Sequence, residues 1–403
     1  MVNVIDRLKD NIDASVQANK PPFISYVVGN NGTGKSRILA EIAQLYGAAE
    51  RNNVTSVLCI SNAVVDKFTF NKGFGKIKYL GTRSVGNAVH WVSLDRTIAK
   101  GLCAGFIRSK GDFFAELKKI IGMEFFINFP VVPENSTLAL EDLPEFVDNR
   151  RLRDSEISEK ISLTGRRWLA KNISKRIELQ SVPRARIKDL LSFLELNPTV
   201  TAEVKKGGDF LTFRDLSSGE QNRISLAVKV LAHAEHGMLV LIDEPEISLH
   251  LQWQAEFHRF LSTILDGYAN YHVVVATHSP VIVSEAGRAA RGSAEGIFIL
   301  EKSPDSEVDQ IQCQVSNTKD IKSFEFAVLD YFKLATFNTP SFDMKIAEIM
   351  LSAVDAPKDN RDAEEEIKEL QNLKNVEKIP NETRKVINEA IDLIRKHFSR
   401  NNL

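Results

Sequence analysis

The chain has 403 residues, 43% of them hydrophobic, which is long enough for one large or two ordinary domains with a proper core. Its formal net charge of -1 argues against a protein that coats nucleic acid, although a local basic patch is compatible with it. The cysteines Cys59, Cys103 and Cys313 are widely spaced, which predicts neither a disulfide framework nor a metal cluster and favours a reducing compartment. The charged N-terminus predicts no signal peptide, and no apolar run approaches about 18 residues. We therefore expect a cytoplasmic protein with no membrane span.

The first motif lies near the N-terminus. A short β-branched run ends in Gly29, and the segment through Ser36 fits the pattern G-x-x-x-x-G-K-S, with a predicted helix after it. Such a loop turns successive N–H groups toward an anion, its lysine reaches the β- and γ-phosphates, and its serine hydroxyl suits Mg²⁺. The helix N-terminus adds positive potential. The pattern predicts a bound nucleoside triphosphate, held by Gly29, Asn30, Asn31, Gly32, Thr33, Gly34, Lys35, Ser36 and Arg37.

A second motif, Met238 to Glu244, is a fully apolar run that ends in two acids. The run predicts a buried parallel strand, and ligands of open α/β sheets collect at the carboxyl ends of such strands. Asp243 is placed to hold Mg²⁺, directly or through water. Glu244 is placed to orient or deprotonate the attacking water, because phosphoryl transfer depends on positioning and charge stabilisation. The alternative is a core strand that ends in acids without a function.

Two weaker motifs accompany these. The segment Leu216 to Gln221 precedes an apolar-periodic helix through Leu231, and predicts either a second anion site or an ordinary N-cap. Tyr271 to Pro280 predicts another apolar strand, with His278 at its end. One predicted helix, Leu251 to Leu265, separates it from the Asp-Glu strand, so a right-handed βαβ unit would set the two strands side by side. From there the imidazole would reach the γ-phosphate or the attacking water.

Together, the four motifs resemble the ATPase head of the ABC superfamily. The resemblance implies an α/β P-loop fold with a mixed sheet, bound ATP and Mg²⁺, and ATP hydrolysis by Glu244 and His278. It also implies a head-to-tail dimer that sandwiches two ATP molecules, in which the signature residues of one subunit complete the site of the other. Those residues are Ser217, Ser218, Gly219 and Glu220, and the D-loop matches Ser248, Leu249 and His250.

Within this superfamily the chain is most similar to the RecF, SMC and OLD-type branch, since Glu246 and His250 stand where transporters usually have threonine and aspartate. The segment Ile60 to Phe68 resembles stand-alone ATPases of bacterial antiphage defence, of the Septu-type and retron-coupled systems. That resemblance implies a regulator that senses infection and controls a separate toxic effector, often a nuclease. The glutamine that most ABC heads carry after this strand is absent, and Asn62 or Asp66 is the candidate replacement beside Mg²⁺.

The motifs suggest four segments: residues 1–100 and 205–302 as the two parts of the head, 101–204 as a helical insertion, and 303–403 as a helical C-terminal segment. Residues 150–188 are rich in arginine and lysine. They would bind nucleic acid such as DNA or an acidic protein, or they form a solvated helical face, or they contact a phage protein or the effector. Two rival functions stay open. One is a RecF-like DNA repair ATPase, and the other is a scaffold that binds ATP but turns it over slowly.

Overall fold

The computed structural model describes residues 2–17, 23–48, 53–63, 66–68, 75–81, 93–108, 113–128, 160–172, 175–196, 201–247, 249–289, 296–302, 311–321, 324, 327–332, 346–347, 349–350, 360–374 and 381–400. They belong to two compact units, one from Ser25–Lys35 and Thr277–Leu403, the other from Val2–Ile24 and Ser36–Ala276. The boundaries of these two units differ from those of the four segments that the motifs suggested. The division into four segments stays a prediction.

The helices among the described residues, in chain order, are α1 (Val2–Gln17), α2 (Lys35–Ala48), α3 (Ser93–Arg108), α4 (Phe113–Ile121), α5 (Leu163–Asn172), α6 (Arg184–Leu196), α7 (Ser218–Leu231), α8 (Leu251–Ile264), α9 (Pro280–Ala289), α10 (Asn360–Lys374) and α11 (Asn381–Arg400). The strands are β1 (Phe23–Gly29), β2 (Val57–Ser61), β3 (Ile77–Tyr79), β4 (Glu124–Asn128), β5 (Arg176–Glu178), β6 (Thr201–Lys206), β7 (Asp209–Thr212), β8 (Leu239–Asp243), β9 (His272–Thr277), β10 (Gly296–Lys302) and β11 (Ile311–Asn317).

In the unit that contains residues 36–276, a parallel sheet runs in the order β3-β2-β8-β9. Every residue of β2, β8 and β9 is buried, as expected for parallel strands that are covered on both faces. The register sets Ser61 of β2 and Ala276 of β9 on either side of Asp243, at the carboxyl end of β8. Asp243, the strand-end acid that the sequence motifs singled out, therefore lies between two neighbouring strand ends.

Helix α1 packs in the same unit through a stripe of one residue per turn. Val4, Leu8, Ile12 and Val16 are all buried, at the spacing that places them on one helical face. Ser15 adds a polar contact, since its hydroxyl lies 2.9 Å from Nδ1 of the fully buried His272 on β9. The N-terminal helix is thus fixed to the parallel sheet.

A second, antiparallel sheet in this unit runs in the order β5-β4-β6-β7. Strands β4 and β5 and the first four residues of β6 lie inside residues 101–204, which the sequence predicted to be a helical insertion. That prediction found the helices α4, α5 and α6 and missed the strands. The strands are short, and four of the six residues of β6 are polar, so their pairing depends on partners that are distant in sequence rather than on a local pattern.

In the unit that contains residues 25–35 and 277–403, β1 pairs with β10 in parallel and β10 pairs with β11 in antiparallel orientation. Strand β11 lies in the segment that was predicted to be helical from residue 303 onward, so the prediction was incomplete there. The helices α10 and α11 share a small apolar core with two residues of the preceding segment, and its buried members include Ile346, Leu370 and Ile391.

The α/β class with a mostly parallel sheet and flanking helices is confirmed by these two units. No helix among the described residues is long and apolar enough to cross a membrane.

Candidate nucleotide-binding site

The phosphate loop, residues 29–36, leaves β1 through three glycines with positive φ: Gly29 at 148°, Gly32 at 80° and Gly34 at 86°. This backbone region suits glycine, because a Cβ would clash with the main chain. Asn30, Asn31 and Gly32 are exposed, and so is Arg37 on the following helix. The tip of the loop is therefore exposed to solvent, whereas its start is buried at the end of β1.

Gly29 is the most constrained of the three. A Cβ at this position would lie 2.5 Å from the carbonyl oxygen of Leu300 on β10 and 3.0 Å from Oγ1 of Thr33. Thr33 itself is buried, and its hydroxyl donates to the carbonyl of Asn30 at 2.9 Å. The base of the loop is thus packed without room for a side chain.

Lys35 is 5% exposed, and its ammonium group lies inside the curve of the loop. Nζ donates to the carbonyl oxygen of Gly29 at 2.8 Å and to that of Asn30 at 3.3 Å. It also lies 3.1 Å from Nδ1 of His278, which follows β9. The loop lysine and the strand-end histidine, predicted from motifs 243 positions apart, are direct neighbours.

Burial and, to a lesser extent, the positive charge of Lys35 lower the pKa of His278 to about 4, against a smaller opposing effect of the Gly29 main chain. The ring is therefore neutral near pH 7. An ammonium group has no acceptor, so Nδ1 must accept from Lys35 and the ring proton lies on Nε2. His278 is consequently a neutral imidazole whose ring proton is carried by Nε2.

Ser36 and Asp243 are joined directly. The hydroxyl of Ser36, in the first turn of α2, donates to Oδ1 of Asp243 at 3.0 Å, and the carboxylate is 2% exposed. A hydroxyl and a carboxylate in contact form a hard oxygen pair, which is what Mg²⁺ prefers. Across the described residues, no group of three or more His, Cys, Asp and Glu side chains is suited to a metal ion. Mg²⁺ typically needs only one or two carboxylates beside the phosphates, so the pair fits this ion.

Glu244 follows Asp243 with φ of 49°, in the left-handed region that non-glycine residues rarely adopt. Its N–H donates to the carbonyl oxygen of Ala276 on β9 at 2.9 Å, and its own carbonyl accepts from the N–H of Ile247 at 3.3 Å. We call residues 244–247 the post-β8 turn. The main chain at Glu244 is thus held on both sides.

The end of β2 carries the residues proposed in place of the missing glutamine. Both carboxylate oxygens of Asp66 accept hydrogen bonds, from the N–H of Phe68 at 3.0 Å and from the hydroxyl of Tyr79 at 2.6 Å. Asn62 borders a groove together with Asn222 and Trp253. A role for Asn62 beside Mg²⁺ stays a prediction, and Val64 and Val65 of the same segment lie outside the described residues.

The signature segment forms the N-terminus of α7, and both Ser217 and Ser218 are exposed. Ser217 is the N-cap in a capping box with Glu220: its main-chain N–H and its hydroxyl donate to Oε2 of Glu220 at 3.1 and 2.8 Å. Lys206 donates to the other carboxylate oxygen at 2.6 Å, and the pKa of Glu220 is lowered by these hydrogen bonds in spite of partial burial. The N-cap interpretation is therefore correct in geometry, and it leaves the exposed Ser218 hydroxyl at a helix N-terminus.

Gly219 faces a residue that the sequence motifs did not indicate. A Cβ on Gly219 would lie 3.0 Å from Cδ1 and 3.1 Å from Nε1 of Trp253, in the first turn of α8. The guanidinium of Arg223 lies 4.2 Å from the centre of the same indole. Trp253 therefore packs against two residues of α7. The sequence motifs did not indicate this contact, because it joins two separate helices.

Of the D-loop residues, Ser248 lies outside the described residues, and His250 is the N-cap of α8. Two amide side chains hold the neighbouring main chain: Asn222 of α7 donates to the carbonyl of Ile247, and Gln254 of α8 donates to that of Leu249, both at 3.0 Å. No sequence pattern pointed to either amide.

The basic residues of the 150–188 stretch have several different environments. Arg176 pairs with Glu203, and Arg186 pairs with Asp189 at 3.3 Å. Others are exposed, and these include Arg167, Lys171 and Lys175. Arg150, Arg151 and Arg153 lie outside the described residues.

Residues 120–284 match the family described as "AAA domain, putative AbiEii toxin, Type IV TA system". Over these residues the chain is similar to that family. The matched segment begins after the phosphate loop and contains α7 with its signature segment, Asp243, Glu244 and His278. The match supports a nucleotide-binding P-loop ATPase and does not distinguish between its branches. No curated protein matches the chain.

Proposed function

We propose that this chain hydrolyses ATP as a head-to-tail dimer and that it regulates a separate toxic effector, a nuclease, in antiphage defence. The observation that carries the ATPase part is the contact between Ser36 and Asp243 at 3.0 Å. It joins the last residue of a phosphate-loop pattern to the strand-end acid, the two groups that hold Mg²⁺ in such sites. Bound Mg²⁺ would supply charge neutralisation on the transferred phosphoryl group.

The proposed roles of the individual side chains follow from their contacts. Lys35, an ammonium group with three donors held among loop carbonyls, would bind the β- and γ-phosphates. His278 would donate from Nε2 as a neutral ring. Glu244, on a main chain fixed by Ala276, would orient the attacking water and take its proton.

The proposal of a dimer is based on the exposure of the signature segment. Ser217 and Ser218 project at the surface from the N-terminus of α7, where the helix dipole favours an anion. A partner's γ-phosphate would be bound there, so that ATP joins two subunits and hydrolysis removes the bridge. The arrangement of the subunits would then report the nucleotide state.

The defence role has two supports. The description of the similar family names a putative AbiEii toxin and a Type IV TA system. The segment from Ile60 to Phe68 resembles ATPases of antiphage systems that act together with an effector. The first support favours a chain related to toxin systems, and the second favours a chain that acts beside a separate effector.

Three variants test the ATPase and the dimer. Lys35→Ala is expected to abolish ATP binding, and Glu244→Gln is expected to bind ATP but to lower turnover by about a hundredfold or more. Ser217→Arg is expected to bind ATP and to lose ATP-dependent dimerisation, measured by mass photometry, whereas Ser181→Arg at another exposed serine serves as its control. Unchanged turnover in Glu244→Gln would show that another group is the base. Intact association in Ser217→Arg would refute the sandwich.

The effector is tested by gentle purification of tagged Glu244→Gln protein with ATP from its native host. A stoichiometric nuclease whose recovery requires ATP supports the defence role. Recovery of DNA with repair factors, and no effector, overturns it.

DNA maintenance is the second candidate, and the exposed Arg167 and Lys171 of α5 favour it, because residues four positions apart share a helical face. Under this alternative, duplex DNA stimulates ATP hydrolysis in a salt-sensitive way, and the double variant Arg167→Ala/Lys171→Ala loses the stimulation. Hydrolysis that does not respond to DNA rejects this candidate.

A further inference from the structure

We infer that Asn222 is a positioning residue that couples the two ATP sites of the dimer, an inference that rests on the proposed function. Its side chain links the helix that carries the signature segment to the turn that carries Glu244. The first serves the partner's nucleotide and the second serves the subunit's own nucleotide. The side-chain amide of Asn222 would therefore connect two ATP sites that hold different ATP molecules.

The first step is the hydrogen bond itself. Nδ2 of Asn222 donates to the carbonyl oxygen of Ile247 at 3.0 Å. Asn222 lies on α7 four residues after Ser218, so it stands one helical turn behind the exposed serine. Any movement of the first turn of α7 would thus act on Ile247 through a short and directed contact.

The second step leads from Ile247 to Glu244. The N–H of Ile247 donates to the carbonyl oxygen of Glu244 at 3.3 Å, which closes the post-β8 turn. Glu244 has a positive φ of 49°, and its N–H is held by Ala276. Because the strand side is fixed, a shift of Ile247 is absorbed at the main chain of Glu244, where the conformation is already costly for a glutamate.

The third step concerns the rigidity of α7. Trp253 packs against Gly219 and Arg223, which are four positions apart, so one face of the first turns of α7 is held by α8. The half-buried Asn222 borders a groove that runs past Pro245 and Leu249 to Phe257. The signature helix and α8 are therefore expected to move together, and Asn222 transfers that motion to the turn.

The consequence is cooperativity. When the signature segment of one subunit binds the γ-phosphate of its partner, the contact through Asn222 brings the subunit's own Glu244 into position. ATP at one site thereby raises turnover at the other, and the coupling is a free energy carried by a defined contact.

The test is the ATP dependence of steady-state hydrolysis by the full-length protein. Wild-type protein is expected to respond cooperatively, with a Hill coefficient above unity. Asn222→Ala is expected to bring the coefficient to unity and to lower kcat by about three- to tenfold, the range of one hydrogen bond, while ATP affinity and thermal stability change little. Asn222→Gln keeps the donor and should restore part of the cooperativity, whereas Asn222→Asp should behave like the alanine variant because it has no donor.

Gln254→Ala is the matched control. It removes the same kind of amide-to-carbonyl bond, at the same length, from Leu249 two residues further on, but it starts on α8 rather than on the signature helix. Cooperativity lost in Asn222→Ala and kept in Gln254→Ala supports the coupling. Equal effects of the two variants, or a wild type without cooperativity, overturn it. A wild-type protein that neither hydrolyses ATP nor dimerises with it overturns the proposed function instead.

Discussion

Replacement of Gly29 by alanine tests whether the phosphate loop is closed by strand β10. The new methyl group would meet the main-chain oxygen of Leu300 at 2.5 Å and the Thr33 hydroxyl at 3.0 Å, so either the strand or the loop must move. Overpacking of this kind costs about 1–3 kcal/mol, and a strained φ costs about as much again. We expect Gly29→Ala to destabilise the protein by roughly 3 kcal/mol or more and to abolish ATP binding.

The matched control is Gly122→Ala at the end of α4. Gly122 also has a positive φ, 78°, but a Cβ there would meet no atom within 4 Å. This variant isolates the backbone cost of about 1–2 kcal/mol. Urea unfolding and binding of a fluorescent ATP analogue are measured for both variants. If Gly29→Ala proves no less stable than Gly122→Ala, the loop is not held by Leu300 and the steric argument is refuted.

Three further predictions concern other parts of the chain. Burial lowers the pKa of His272 to about 3, so the stability that its neutral ring contributes is complete above about pH 6.5 and is lost as the pH falls toward 3. When the pH is lowered from 7 to 5, the free energy of unfolding of His272→Gln should therefore fall by about 2 kcal/mol less than that of wild type. Gly219→Ala crowds Trp253 and should be destabilising. The double variant with Trp253→Leu should lose about 1 kcal/mol less unfolding free energy than the sum of the losses in the two single variants, measured as a double-mutant cycle. Glu244→Gly should leave unfolding stability equal or higher while abolishing turnover, and Asn270→Gly, where φ is 58° on a more tolerant residue, should gain less.

The sequence predicted those parts of the fold whose signal is local. The runs that became β8 and β9 are apolar in their interior, and the acids and His278 stand at their carboxyl ends, so both their burial and the place of Asp243 followed from pattern alone. Ser217 was also recognisable as an N-cap, because a capping box is defined by residues three positions apart.

What escaped prediction depends on partners that are distant in sequence. Strand β5 has three residues, and its pairing partner among the described strands is β4, about fifty positions earlier, so a short window of sequence does not contain the reason for its extended conformation. The contacts of Lys35 with His278 and of Gly219 with Trp253 likewise join separate elements. Motifs indicated which residues carry chemistry, whereas the groups that hold them in place were visible only once the chain was folded.

The main chain at Glu244 shows the difference between what the motifs predict and what is visible only in the folded chain. Sequence placed a glutamate after Asp243, but a left-handed main chain there favours glycine, and a glutamate costs about 1 kcal/mol or more. Among the described residues, only Asn270 shares this feature without being glycine, and asparagine tolerates it well. A costly conformation persists where the surrounding contacts enforce it, and here the hydrogen bonds to Ala276 and Ile247 do so. The strain therefore lies at the residue whose carboxylate would take the proton of the attacking water in the proposed hydrolysis, which is where a fold retains a penalty that a glycine would remove.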